Sequence, residues 1–353
     1  MKQVRMMISL EDRRWKLINL SEIFSSITRG KISDLRNLED GNTVVIAAAG
    51  VNEGFACFSN SDSITSNAMT ISLNGVGTGT AFVHNYPFNM NSDCGLVKTK
   101  EKISIKALQF ISVMINNNKD KFNYGYKANE TRLLNLSIKL PINGDGDIDY
   151  EFMELYMQQM ESNLLNKEID YVESKLKEIG PKKDVKELYK CNWKKFNVKD
   201  IFETIQRGKR LKTAEHISGY TPYVSSTALN NGVDRFIGNK ENVREFENCL
   251  SLANSGSVGS CFYEPFNFIA SDHITHLKNN SFNKYHYLFM ATMLSRLSDK
   301  YNFNREINDA RISKEIILLP IKNDNTPDYD YMEQYIKNIM VDKYNKLLNF
   351  IKQ

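Results

Sequence analysis

WKLINLSEIFSSITRGK (Trp15–Lys31) is written a second time as WKKFNVKDIFETIQRGK (Trp193–Lys209), without a gap, and the chain's only two tryptophans head the two copies. Further along, FNYGYKANETRLLNLSIKLPI (Phe122–Ile142) matches YNFNREINDARISKEIILLPI (Tyr301–Ile321) at an offset of 179 residues. The match runs on through DYEFMELY (Asp149–Tyr156) and DYDYMEQY (Asp328–Tyr335). Between these blocks GTAFVHNYPFNMNSD (Gly79–Asp93) pairs with GSCFYEPFNFIASD (Gly259–Asp272) across a small gap. Solenoid repeats have periods of roughly 20–50 residues, so a period this long marks a duplicated domain.

Each copy follows one plan. An aromatic-led segment ends in an Arg-Gly-Lys turn, and short β-like runs follow, TVVIAAA in the first copy and YTPYVSS in the second, separated by Asn/Gly turns. A helical stretch comes next, with apolar residues three and four apart: Ile105, Leu108, Ile111 and Ile115, then Tyr287, Met290, Met293, Leu294 and Leu297. A β-like run ending in Leu-Pro-Ile closes the domain. The fold class is mixed α/β (α+β), without the βαβ rhythm of a Rossmann sheet.

A polar turn and a long helix follow each Leu-Pro-Ile. The first helix runs over Asp149–Ile179 with Phe152, Tyr156, Met160, Leu164, Ile169, Val172, Leu176 and Ile179 as a narrow seam, and Gly180-Pro181 stops it. The second starts at Asp328 and carries Tyr331, Tyr335, Ile339, Tyr344, Leu347 and Ile351. Neither helix is expected in the body of a domain, so each buries its seam against the other or against a partner. Antiparallel pairing would relate the domains by an approximate two-fold axis. The organisation expected is a domain at 1–148, a spacer helix at 149–180, a linker at 181–192, a second domain at 193–327 and a C-terminal helix at 328–353.

Composition is that of a soluble chain: 353 residues, 41% hydrophobic, 25% charged, with no apolar run near the roughly 20 residues of a membrane span. Charged residues Glu11 to Arg14 interrupt the start before a signal peptide's apolar run can form. Five cysteines without a CxxC pair argue for a reducing cytoplasm. Residues 1–180 hold 20 Lys+Arg against 22 Asp+Glu, and residues 181–353 hold 26 against 20, so the excess of positive charge lies in the second half. That permits a polyanionic partner without demanding one.

No catalytic constellation emerges, and no metal site or phosphate-cradling Gly-x-x-x-x-Gly-Lys loop. GVGTG (Gly75–Gly79) has the wrong spacing for a dinucleotide loop, and its counterpart SGSVGS precedes a β-like run rather than a helix. His273 and His276 fall on opposite faces of a strand, so packing or solvent exposure explains them better than metal. The acidic clusters 145–154 and 324–333 sit at helix starts, where carboxylates complement the dipole.

The plan W…IF…RGK followed by LPI…DYxxMExY resembles the specificity subunits of type I restriction-modification systems, above all the compact form in type IIB systems. The resemblance runs from Trp15 to the end. It implies a DNA-binding, non-catalytic subunit with two target-recognition domains, each reading half of a bipartite sequence in double-stranded DNA. The helices set the spacing and dock methyltransferase or combined restriction-modification subunits, implying roles for Tyr156, Leu164, Ile169, Leu176, Tyr335, Ile339 and Leu347. Those partners, rather than this chain, would hold S-adenosylmethionine and magnesium. A helix of 30 residues is about 45 Å long, which separates half-sites by on the order of 10–13 base pairs.

Phosphate contacts call for flexible cations beside turns, and base edges for side chains with a bidentate reach. Arg29, Lys31 and Lys127 fit in the first domain, and Arg207, Lys209, Arg210, Lys212 and Arg305 in the second. Asn52, Asn129, Asn230 and Asn231 are candidates for adenine edges. Each cation has the alternative of an ordinary solvated charge. Tyr124 and Phe303, equivalent across the repeat, read as core residues. Two other functions stay open: a decoy or interaction module capturing modification subunits, and a fragment of a fused methyltransferase-nuclease.

Overall fold

A computed structural model describes residues 8–75, 77–123, 125–302 and 304–352, so Tyr124 and Phe303 lie outside the described residues. The chain divides into two compact units inside its first long helix, between Glu168 and Ile169.

In the first unit β1 (Arg14–Asn19) and a one-turn α1 (Leu20–Ile23) lead into β2 (Phe24–Arg29). Six further strands follow: β3 (Thr43–Ile46), β4 (Phe55–Ser59), β5 (Ala68–Ser72), β6 (Ala81–His84), β7 (Phe88–Met90) and β8 (Cys94–Thr99). Then come α2 (Ile105–Asn116), α3 (Glu130–Leu134), β9 (Ser137–Ile142) and α4 (Tyr150–Ile179). Local chemistry sets these boundaries. Asn19 and Glu22 form a reciprocal capping box that starts α1, and Ser104 accepts from the Ala107 amide to start α2.

β1 pairs antiparallel with β9, Trp15 opposite Pro141, so the opening phrase of the repeat lies directly against its closing Leu-Pro-Ile. A four-stranded sheet has the order β2-β8-β5-β6 and a three-stranded one the order β4-β3-β7, with β3 and β7 parallel. Phe24, Ile27, Met69, Ile71, Ile111 and Ile115 fill the core between the first sheet and α2.

The second unit repeats the first. Its strands begin with β10 (Trp193–Asn197), and α5 (Val198–Ile201) then leads to β11 (Thr204–Arg207), β12 (Ser218–Val224) and β13 (Val233–Ile237). They continue with β14 (Glu245–Phe246), β15 (Cys249–Ala253), β16 (Cys261–Glu264), β17 (Phe268–Ala270) and β18 (Ile274–Lys278). The helices α6 (Lys284–Ser295) and α7 (Asp309–Ile312), strand β19 (Ile316–Pro320) and α8 (Tyr329–Ile351) complete it. Sheet order is β11-β18-β15-β16 and β13-β12-β17-β14, again with one parallel pair, β12 and β17.

The Arg-Gly-Lys turn is written twice for a steric reason. A Cβ on Gly30 would overlap the carbonyl oxygens of Met90 and Asn91, and one on Gly208 those of Ala270 and Ser271. Only glycine lets this turn lie flat against the strand that pairs in parallel.

One expectation is corrected. The long helices do take part in the domain bodies at their starts: Phe152 and Met153 are buried, and Tyr156 and Met157 pack on the first core. Met332 is likewise buried in the second core, with Tyr335 and Ile336 packed against it. The apolar stripe is two residues wide in these turns, and that width suits a domain core better than a coiled-coil seam. Within the second unit the end of α4 runs antiparallel to α8: Leu176 and Ile179 pack with Ile336, Met340, Val341 and Tyr344, while Lys352 pairs with Glu173 and Lys182 with Asp342.

Candidate nucleic-acid interface

The Arg-Gly-Lys turns place their cations at the surface by different means. Arg29 ends β2, is exposed, and donates from Nη1 to the Ser92 carbonyl at 2.9 Å. Lys31 beside it is exposed. In the second unit Arg207 is only half exposed, its Nε buried without a partner among the described residues, and Lys209 is exposed with Nζ 3.2 Å from Asn242 Oδ1. Lys127 is exposed, and its carbonyl accepts from Arg132 at 2.7 Å. Arg305 is exposed and its guanidinium lies 5.3 Å from the Tyr301 ring centre.

Backbone demands account for the asparagines. Asn52, Glu53 and Gly54 all have positive φ, as do Asn230, Asn231 and Gly232, in the loops of the β3–β4 and β12–β13 hairpins. Asparagine tolerates this left-handed conformation, so the type is set by the turn, although the side chains remain exposed. Asn129 caps α3, its Oδ1 accepting from the Arg132 amide at 2.9 Å. The cap engages one lone pair of that oxygen, so Asn129 has a structural duty beside the base contact expected of it.

Two hollows bring candidates together. In the first unit, Arg29 and Asn129 line one of about 450 Å³ with Thr28, Leu73 and Glu130. In the second unit, Arg210 and Lys212 line one of about 350 Å³, and Arg235, His216, Tyr223 and His273 share its wall. The last four were not singled out for recognition in the sequence, because each looks ordinary alone and only the fold brings Tyr223 and Arg235 of the β12–β13 hairpin beside His216, before β12, and His273, between β17 and β18. Both ring nitrogens of His216 are buried without a partner among the described residues, and its ring meets Tyr223 edge-on at 4.8 Å. Arg210 and Lys212 are exposed cations at the margin. Asp234 and Asp272 line the hollow as well, so it offers donors and acceptors together, which suits the donor-acceptor edge of a base.

The remaining candidates resolve into structure. His276 is buried in β18, stacked on Phe246 at 3.8 Å with Nδ1 at 2.9 Å from the Gln206 carbonyl, and burial lowers its pKa. Asp149 and Asp328 cap their helices by accepting from Phe152 and Tyr331 amides. The described residues of the GVGTG stretch lie in the connection between antiparallel β5 and β6. Burial pushes the Cys94 and Cys249 thiols up to about 12, away from nucleophilic use. Among the described residues, no group of three or more His, Cys, Asp or Glu is placed to hold a metal ion. No described helix is long and apolar enough to cross a membrane.

The helix residues implied in docking divide into two sets. Tyr156, Tyr335 and Leu176 pack within their own units. Leu164 is 62% exposed, Ile339 and Leu347 are exposed, and Ile169 is half exposed.

Comparison with known proteins agrees with the duplication. The model of the type I restriction modification DNA specificity domain matches twice, at residues 12–183 and 190–349. The specificity subunit S.BcgI of a type II restriction enzyme from Heyndrickxia coagulans is 31% identical over 261 residues, covering 73% of this chain and 74% of the relative. A putative type I specificity subunit of Mycoplasma pneumoniae is 24% identical over 322 residues, covering 88% of this chain and 85% of the relative. Among solved structures, the S subunit of a type I restriction-modification system from M. genitalium shares the fold with a TM-score of 0.56 at 12% identity, over 98% of this chain and 93% of that one. With both halves matched and the paired scaffold present in each, the chain belongs to the type I restriction modification DNA specificity family.

Proposed function

We propose that this chain is the DNA-recognition subunit of a restriction-modification complex and reads a bipartite sequence, one half-site with each domain. The observation that carries this is one scaffold built twice with different recognition hairpins. β3–β4 and β12–β13 occupy the same place in sheet order and register, yet Val45 opposite Cys57 in the first becomes Tyr223 opposite Arg235 in the second. Two readers of one plan with different contact chemistry suit two different half-sites.

In this reading the chain contributes sequence discrimination, and methyl transfer or cleavage belongs to subunits docked on the exposed parts of the helices, including Leu164, Ile169, Ile339 and Leu347. Those subunits would hold S-adenosylmethionine and magnesium. The test is footprinting on duplex DNA with the modification subunit bound. Two protected half-sites flanking a less protected spacer are expected, and protection of a single continuous half-site would overturn the reading. Binding to modification subunits without any sequence preference on DNA would favour a decoy instead.

A further inference from the structure

We infer that Arg235 reads a guanine in the half-site of the second domain, and that Asp234 holds the guanidinium in its reading posture. The inference rests on the DNA-recognition reading above. β13 is the edge strand of a four-stranded sheet and, among the described residues, pairs only with β12, which in turn pairs with β17, so the outer side of β13 is open. Side chains on such an open strand edge can reach base edges in the major groove of B-DNA.

Arg235 is exposed on this edge and donates from Nε to Asp234 Oδ2 at 2.7 Å. That bond fixes the plane of the guanidinium. Its two outer nitrogens have no bond among the described residues that would divert them. Paired N–H donors in a fixed fork match the O6 and N7 acceptors of guanine, the one base that offers two acceptors side by side in the major groove.

The surroundings favour a base over a phosphate. Asp234 and Asp272 line the same hollow and would repel a phosphate, whereas Arg210 and Lys212 at its margin can take the backbone on either side. The buried, unpartnered nitrogens of His216 mark the same wall as polar and unsatisfied. At the register position of Arg235 the first domain has Cys57, which carries no fork, so the guanine requirement belongs to one half-site only.

The experiment uses the full chain in complex with its modification subunit and a set of duplexes in which each base pair of both half-sites is replaced in turn. Wild type is expected to be penalised at every specified position. Arg235→Ala is expected to lose discrimination at one G·C pair of one half-site, by about 5- to 160-fold, the span of one bidentate pair at roughly 1–3 kcal/mol. Penalties in the other half-site should be unchanged. Arg235→Lys, which keeps the charge without the fork, should lose the same discrimination, and Asp234→Asn should weaken it at the same pair only. A uniform loss of affinity across all duplexes would make Arg235 a phosphate contact and overturn the inference, as would Lys restoring discrimination. A wild-type complex without sequence preference would sink the proposed function itself, whereas a discriminating wild type with indifferent Arg235 variants removes this inference alone. Arg235 is exposed, so thermal unfolding of the variants should match wild type.

Discussion

Glu264 lies at the end of β16 with no exposed surface, and among the described residues its only side-chain bond is from Ser251 Oγ to Oε1 at 2.8 Å, leaving Oε2 buried without a partner there. Burial pushes its pKa up to about 7 from an ordinary 4.5, against a smaller opposing contribution from Ser251. A carboxyl that holds its proton more tightly folded than unfolded contributes stability that is fully present below pH 4.5 and is lost as pH rises through 7. At 1.36 kcal/mol per pKa unit the loss amounts to about 3 kcal/mol. Glu264→Gln keeps the shape and the acceptor for Ser251 but cannot ionise. It should match wild type near pH 4.5 and be more stable by about 3 kcal/mol at pH 8. Each unit carries one tryptophan, so a Trp15→Phe background lets Trp193 fluorescence report the second unit in urea titrations from pH 4.5 to 8.5. A Gln-minus-Glu difference that stays constant across that range would refute the burial argument.

The first unit should answer pH in the opposite sense. His84, at the equivalent register position, is buried on Thr70 and Tyr86, and burial lowers its pKa to about 4, so stability present above pH 6.5 is lost as pH falls through 4. Trp15 fluorescence in a Trp193→Phe background should show about 3 kcal/mol of acid sensitivity that His84→Gln removes. Gly208→Ala should destabilise the second unit by roughly 1–3 kcal/mol or more, read as a lower urea midpoint, because its Cβ has only backbone carbonyls to meet. Met332→Ala should cost roughly 2–5 kcal/mol by the same measure, whereas the exposed Leu164→Ala should stay within about 0.5 kcal/mol yet weaken pull-down of the modification subunit. Lys209→Ala should weaken DNA binding equally for every duplex and reduce the slope of log affinity against log salt by about 1.

Much of the scaffold was legible because it depends on local spacing. The three-and-four periodicity marked α2 and α6, and the Asp-led starts and Gly-Pro stop marked the long helices. What could not be read was set by partners far away in the chain. The parallel pairing of β3 with β7 joins residues more than 40 positions apart with no local signature. The burial of Met153 and Met332 depends on what each domain presents to its helix, since periodicity alone describes a seam but not its neighbour. The capping duty of Asn129 was not legible either, because the amide that can read adenine is the same group that caps a helix. At the interface, Arg235 was hidden among ordinary surface charges until β12 and β13 paired.

The repeat itself separates scaffold from reader. Residues the two copies share have structural duties in both: Gly30 and Gly208 against backbone, Asn52 and Asn230 with positive φ, Asn129 and Asn308 as caps. The clamp of the Gln159 amide on both backbone atoms of Ile8 recurs as Asn338 on Lys183. A group present in both copies cannot by itself tell two half-sites apart. Shared Arg29 and Arg207, like Lys31 and Lys209, are therefore suited to the phosphates every duplex offers, and discrimination must come from positions where the copies diverge. His84 against Glu264 is such a divergence, but both side chains are buried. Cys57 against Arg235 lies on a strand edge, where a change of side chain alters what the protein can read while leaving the fold beneath it untouched.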